Sequence, residues 1–328
     1  MQYRNLGRSD LEVSVLGFGC GAVGGLMVHG EHEEMIRSVE YALEAGVNYF
    51  DTARMYGDGL SEIHTGGILR ELGAREALIG TKVRVVSNEL GNIEEAVARQ
   101  IDNSLRRLGS DCVDIVYTHN RIVESHVLDD DSLNLEHLEK VVNAFEAAVK
   151  SGKIRYWGFN GLGETDAIKR AVERFKPSGL HTCYNMLNPS SGNPVSESFP
   201  YQNYDRLIDF CDDIGIGTVA IRILAAGALA GTTHRHVLAA QDVAPIATGK
   251  TLKEDVDRTA LYEFIVEEGY AESLVDASLR FAISNEKLST ALVGLSSLNQ
   301  LRQAVSAVEK GPLDSEVLDK LREIWSVS

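Results

Sequence analysis

The sequence predicts an α/β fold, a (β/α)8 TIM barrel with an N-terminal β-hairpin plug and an extra C-terminal helix. Three observations carry this. Strand-like runs and helical periods alternate eight times along 328 residues, which favours a closed parallel barrel over a doubly wound sheet. Ionisable residues stand where consecutive strands end, Asp51, Lys82 and His119 among them. The long polar connections 121–134, 186–203 and 231–260 each follow a strand, so they belong on the face where such a barrel keeps its pocket.

The elements follow in order. Residues 3–7 and 11–15, split by Ser9-Asp10, read as a hairpin suited to plug the N-terminal end of the barrel. Eight strands then end near 17–20, 50–51, 80–82, 117–119, 158–160, 184–185, 221–222 and 293–296. The first helical period, 34–43, sets Met35, Val39 and Ala42 on one face. The helix 92–108 starts at Asn92, has Glu94 and Glu95 in its first turn and stops at Gly109. Residues 135–150 form a helix stopped by Ser151-Gly152, and 164–175 one that stops before Pro177. Further helices cover 204–214, 274–284 and 298–310, the last stopped by Gly311. Residues 314–327 add an amphipathic helix that turns Val317, Leu318, Leu321, Ile324 and Trp325 inward. Trp157 alternates away from the barrel centre and is expected to pack against helices. No linker or low-complexity run interrupts the pattern, so one domain over 1–328 is expected.

Composition narrows the function classes. With 44% apolar and 24% charged residues and a net charge of -16, the chain is that of an acidic globular protein. No Lys/Arg cluster offers a nucleic-acid footprint, and the acidity repels anionic membranes. No apolar run approaches the length of a membrane span. Cys20, Cys112, Cys183 and Cys211 lack metal-site spacing and read as small apolar filler in a reducing compartment. The first residues hold no apolar stretch, and a cytoplasmic location is expected. His29, Glu31 and His32, and His234 with His236, lack zinc-site spacing. Residues 129–131, three aspartates, lack the alternation and glycine of a calcium loop and read as a solvated turn. No metal is expected.

The strand-end residues suggest proton-transfer chemistry. Asp51 ends the second strand, Tyr56 follows five residues later, Lys82 ends the third strand and His119 the fourth. A free tyrosine titrates near ~10, too high to exchange protons readily at neutral pH. An ammonium beside it, its field partly cancelled by Asp51, is expected to lower that by about one to two pKa units. Tyr56 then serves as acid, Lys82 as tuner, Asp51 as anchor and His119 as a donor to a substrate oxygen. None of the four can supply a hydride, so a nicotinamide cofactor must. The bland alternative is a structural Asp51–Lys82 ion pair.

Over nearly its whole length the chain resembles the aldo-keto reductases. Residues 46–57 resemble that family's strand-two signature, Thr81-Lys82 its strand-three lysine and Thr118-His119 its strand-four histidine. The resemblance implies the barrel fold and the catalytic set Asp51, Tyr56, Lys82 and His119. It implies NADP(H) or NAD(H) lying extended across the C-terminal face, its phosphates near strands seven and eight. Around that cofactor the chain departs from the family's usual residues. Asn160-Gly161 stand where Ser-Asn usually hold the carboxamide, and His181 stands for the strand-six glutamine. Tyr184 falls where an aromatic often stacks on the nicotinamide. Arg222-Ile223-Leu224 replace Ser-Pro-Leu, and Arg222 suits a pyrophosphate, an anionic substrate, or an acid in a neighbouring loop. Strand eight leads through Gly294, Ser296 and Ser297 to Gln300, a helix start whose free N–H groups suit a phosphate. The family often has Arg or Lys near Ser297 for the 2′-phosphate of NADP; here there are hydroxyls, with Arg302 a turn further on. Gln303 and Ala304 replace the usual adenine-side Glu and Asn, so both NADP and NAD stay open.

Residues 19–24 match GxGxxG, but the next helix is expected only near Glu31 and Asp51 is already used by the barrel, against a Rossmann reading. In the barrel, Gly21 and Ala22 mark a close backbone approach to the cofactor. The expected function is hydride transfer between nicotinamide and an aldehyde, ketone or sugar hydroxyl, with Tyr56 moving the proton. The partner is a small carbonyl or polyol/sugar substrate, and Asn120, Arg121 and Arg222 favour a polar one. The alternatives are a nucleotide-binding sensor or partner subunit with little turnover, and a cofactor-free barrel hydrolase or lyase.

Overall fold

The computed structural model describes residues 1–127 and 130–327. An antiparallel pair opens it, β1 (Tyr3–Asn5) and β2 (Glu12–Ser14), with Tyr3 opposite Ser14. Eight strands follow: β3 (Leu16–Gly19), β4 (Tyr49–Asp51), β5 (Leu78–Val83), β6 (Val113–Thr118), β7 (Ile154–Asn160), β8 (Gly179–Cys183), β9 (Gly217–Ile221) and β10 (Thr290–Gly294). They pair in parallel in chain order, and β10 closes the ring on β3 with Ala291 beside Leu16. This is the expected (β/α)8 barrel.

The helices are α1 (Leu26–His29), α2 (His32–Glu44), α3 (Leu60–Glu71), α4 (Ile93–Leu108), α5 (Leu135–Lys150), α6 (Thr165–Phe175), α7 (Leu207–Asp213), α8 (Leu252–Arg258), α9 (Phe264–Glu267), α10 (Leu274–Ile283), α11 (Leu298–Glu309) and α12 (Ser315–Val327). In α4 the buried positions Ile93, Val97, Ile101, Leu105 and Leu108 recur every three or four residues. The helix stops at Gly109, whose φ of 64° is a left-handed cap that only glycine adopts freely. In α12, Val317, Leu321 and Trp325 are buried, and the indole donates to the carbonyl of Met186 at 3.0 Å. Trp157 stacks on Phe145 of α5 and donates to Glu146, outside the barrel as its alternation requires.

The hairpin is a plug. Leu6, Leu11 and Val13 pack with Tyr49, Ile115, Tyr117, Val219 and Leu292, the residues that fill the barrel interior. Gly7 lies so close to β9 that a Cβ there would stand 2.3 Å from the Gly217 nitrogen. Chemistry is thereby confined to the opposite end.

Several local expectations need correction. The helix expected over 204–214 starts only at Leu207, because Asp205 and Arg206 take left-handed φ of 45° and 51°. The 231–260 connection is not all loop: Thr251 accepts from the Glu254 amide and starts α8. A one-turn helix, α1, precedes α2. Within the aspartate run, Asp129 lies outside the described residues, and Asp131 is no solvated turn residue, since it takes Arg84 at 3.0 Å and the Ser87 amide at 3.1 Å. Cys20, Cys183 and Cys211 are buried filler as expected, their thiols pushed up by burial to about 12, 11 and 12, whereas Cys112 is exposed. No helix among the described residues is long and apolar enough to cross a membrane.

Candidate active site

A cavity of ≈ 490 Å3 opens at the C-terminal end of the strands, a size typical of small-molecule sites. Asp51 closes β4, Lys82 lies in β5, and His119 follows β6 directly. Tyr56 enters from the turn after β4. All four line the cavity. The Lys82 ammonium bonds Asp51 Oδ1 and donates to the Thr52 carbonyl at 2.8 Å. It also lies 4.9 Å from the centroid of the Tyr56 ring, which meets the His119 ring edge-on at 5.7 Å. The backbone that carries these groups is braced from behind. Thr52 and Ser61 share a hydroxyl contact of 2.7 Å, Ser61 donates to the Cys20 carbonyl, and Thr81 donates to the buried Glu62.

The electrostatics differ from the sequence expectation at one point. The Tyr56 phenol is raised above its ordinary value, because burial outweighs the attraction of Lys82. Its proton is therefore held through neutral pH. Burial works to lower Lys82, but Asp51 and Tyr56 together outweigh it and keep the ammonium charged. Asp51 is raised by burial, with Lys82 opposing. His119 is pushed down to about 3 by burial, then by Lys82 and Arg84, and so is a neutral imidazole. His181, only 1% exposed, is likewise held neutral, first by burial. Its Nε2 stands 3.4 Å from Asp51 Oδ2 without a hydrogen bond. Asp51 Oδ2, His119 Nδ1 and His181 Nε2 are thus three buried polar atoms without hydrogen-bond partners on residues that line the cavity, a set suited to a polar ligand.

Most of the remaining expected residues line the same cavity: Gly21, Ala22, Asn160, His181, Arg222, Leu224, Gly294, Ser296 and Gln300. A Cβ on Gly21 would stand 3.6 Å from the Tyr56 ring, inside the cleft. Asn160 spends its side-chain amide on the His119 carbonyl at 3.3 Å. Two expected residues are not brought there. Tyr184 is 2% exposed, packs on Phe281 at 4.8 Å and receives a bond from Asn193, so its ring belongs to the core. Ser297 accepts from the Gln300 amide as the cap of α11. Asn120 and Arg121 do not line the cavity either. Asn120 is buried and bridges the backbone of Val85 and Asp131, which removes one argument for a polar substrate.

Arg222 meets no acid among the described residues. It donates to the Ala244 carbonyl at 3.2 Å, and burial lowers its pKa. Sequence reasoning missed Arg235, which reaches the same cavity from the loop after β9. Its guanidinium donates to the carbonyls of Ala240, Ala226 and Val23, the last at 3.4 Å, and so straps the loop across the cavity to the turn after β3. No carboxylate among the described residues pairs with either arginine. Ile221, Leu162 and Ile246 add apolar walls. His234 and His236, weighed as metal ligands, line the cavity as well, and the described residues hold no cluster of three metal-ligating side chains.

The model of the aldo/keto reductase family matches residues 15–326. This chain belongs to the aldo/keto reductase family. Among its relatives, an L-galactose dehydrogenase of Arabidopsis thaliana is 26% identical, the match covering 99% of this reductase-family chain and 94% of that protein. A putative voltage-gated potassium channel subunit beta of Schizosaccharomyces pombe is 27% identical over 98% of this chain and 92% of its own. A solved aldo-keto reductase from Bacillus halodurans, in its holo form, superposes with a TM-score of 0.74 at 24% identity, covering 100% of this chain and 97% of that one.

Proposed function

We propose that this family member is an NAD(P)-dependent oxidoreductase. It interconverts a small carbonyl compound and its alcohol, with Tyr56 as the proton carrier. The observation that carries the reading is the convergence of Tyr56, Lys82, Asp51 and His119 on one end of one cavity. In the reducing direction Tyr56 donates its phenolic proton to the substrate oxygen. Lys82 opposes the charge left on the phenolate, and Asp51 with the Thr52 carbonyl holds Lys82 in place. Neutral His119 presents an N–H to the same oxygen and fixes its position. A bound nicotinamide supplies the hydride chemistry that no side chain provides.

The cavity suits such a nucleotide. Arg222 and Arg235 face it with no carboxylate partner, and Arg235 disfavours the charge on Arg222, so a diphosphate against them offsets two desolvated cations. By the family resemblance Asn160 and His181 would meet the carboxamide, Gly21 and Ala22 would allow close backbone approach, and Gly294, Ser296 and Gln300 would meet the adenosine end; all of them, with Leu224, line the cavity. The relative named as an L-galactose dehydrogenase favours an aldehyde or sugar hydroxyl as substrate. The channel-subunit names keep a nucleotide-binding partner subunit as the second reading.

Tyr56→Phe separates the two. Turnover of an aldehyde panel with NADH or NADPH should fall by about 10²-fold or more, while nucleotide affinity stays within about twofold. Unchanged turnover in the variant removes Tyr56 as the proton carrier, and no turnover in the parent protein with tight nucleotide binding favours the subunit reading.

A further inference from the structure

Asp51 has two carboxylate oxygens, and only one of them is bonded. Oδ1 takes the Lys82 ammonium, which also donates to the Thr52 carbonyl at 2.8 Å. Oδ2 is buried and accepts no hydrogen bond. A bare carboxylate oxygen is costly in such a place. The titratable groups that feel the Asp51 charge are Tyr49 of the same strand, Cys20 after β3, Tyr56, Lys82 of β5 and Tyr117 of β6. The three phenols and the thiol are all raised and keep their protons, yet none donates to Oδ2.

One nitrogen faces that oxygen. His181 Nε2, from β8 on the opposite side of the ring of strands, stands 3.4 Å away and is itself buried without a partner. Burial, then Lys82 and His119, hold His181 neutral, so its ring has one N–H to place. With the proton on Nδ1, two lone pairs would confront each other inside the barrel. With it on Nε2, one bond satisfies both orphaned atoms. The ring is also fixed. It packs against Tyr117 with centroids 4.1 Å apart, Tyr49 donates to the Tyr117 phenol at 3.2 Å, and the Gly161 amide holds the His181 carbonyl at 2.7 Å. A protonated Asp51 donating to a bare Nε2 would satisfy the same two atoms, but would leave the buried Lys82 ammonium without its counter-charge.

This inference rests on the oxidoreductase reading above. We infer that His181 is a positioning residue of that site: it donates Nε2–H to Asp51 Oδ2 and so keeps Asp51 ionised against Lys82. Without the donor, the carboxyl takes up a proton at higher pH. Lys82 then loses the charge that holds its own proton against burial, and Tyr56 loses the ammonium that opposes its phenolate. In this role His181 acts through Asp51 alone.

Nitrogen NMR of the histidine-labelled full chain, with no nucleotide added, tests the bond itself. Ring nitrogens with and without a proton resonate far apart, and His181→Gln identifies the signal. The expected result is a neutral ring from about pH 8 to 5 with its proton on Nε2. A proton on Nδ1, or a ring that takes its second proton near the ordinary ~6.5, overturns the inference. The consequence is read in the pH profile of kcat/KM with an aldehyde panel. His181→Leu should move the acid limb up by about one pH unit, the effect of losing one hydrogen bond to a charged group. His181→Gln, which keeps a donor, should return the limb to within about half a unit of the parent protein. A limb that His181→Leu does not move overturns the inference and leaves the oxidoreductase reading standing. No turnover in the parent protein, with the proton found on Nε2, overturns the oxidoreductase reading itself, and the positioning role with it.

Discussion

Glu62 reaches from α3 to accept a 2.6 Å hydrogen bond from Thr81, the residue before Lys82 in β5. Its other oxygen takes Arg107 of α4 at 2.5 Å, and the carboxylate itself is fully buried. A buried charge with one partner removed is costly. Glu62→Ala leaves Arg107 unmatched and the Thr81 hydroxyl orphaned, and should lower unfolding stability by about 3 kcal/mol. Urea denaturation measures it, and a loss below about 1 kcal/mol refutes the role.

Stability should also fall with acid in a particular window. His119 and His181 are neutral in the fold, with folded values far below the unfolded ~6.5. Between those values the unfolded chain binds protons that the folded chain does not. Stability is therefore complete above ~6.5 and lost as pH falls, by up to about 1.4 kcal/mol per pH unit for each histidine. For His119 the window runs down to about 3. His119→Asn should flatten the fall of the urea midpoint between pH 6.5 and 4. An unchanged slope contradicts the assignment of a neutral, buried His119.

Arg235 should matter to nucleotide binding more than to folding. Each charge-assisted hydrogen bond it offers a phosphate is worth about 1.5 kcal/mol or more, so Arg235→Gln should weaken NADH about tenfold and reduce the salt dependence of binding. Arg235→Lys, which keeps the charge, should recover part of that. Equal affinities in all three proteins, read by fluorescence titration, exclude a diphosphate role for this residue.

The barrel, and the gathering of Asp51, Tyr56, Lys82 and His119 on one cavity, were legible because each of those residues sits at or just past a strand end, where counting along the chain is enough. What escaped depends on distance in sequence. Glu34 and Leu298 meet across a separation of 264 residues, through two helices that neighbour each other only once the barrel closes. Arg235 reaches the cavity because its loop folds back over the turn after β3. Tyr184 was misplaced by one step: β8 ends at Cys183, and the chain then turns the ring toward Phe281. The direction of the Tyr56 shift could not be read from spacing either, since burial, not the nearby ammonium, decides it.

The closure of β10 on β3 bears on how the chain is made. Leu16–Gly19 emerges among the first segments, yet its partner Thr290–Gly294 comes among the last. Throughout synthesis β3 presents an open, apolar backbone edge, the kind of surface that recruits other nascent chains. Yield of soluble protein should therefore be governed by how quickly the final barrel strand arrives, and a ribosome stalled shortly before it would hold the most aggregation-prone form of the molecule.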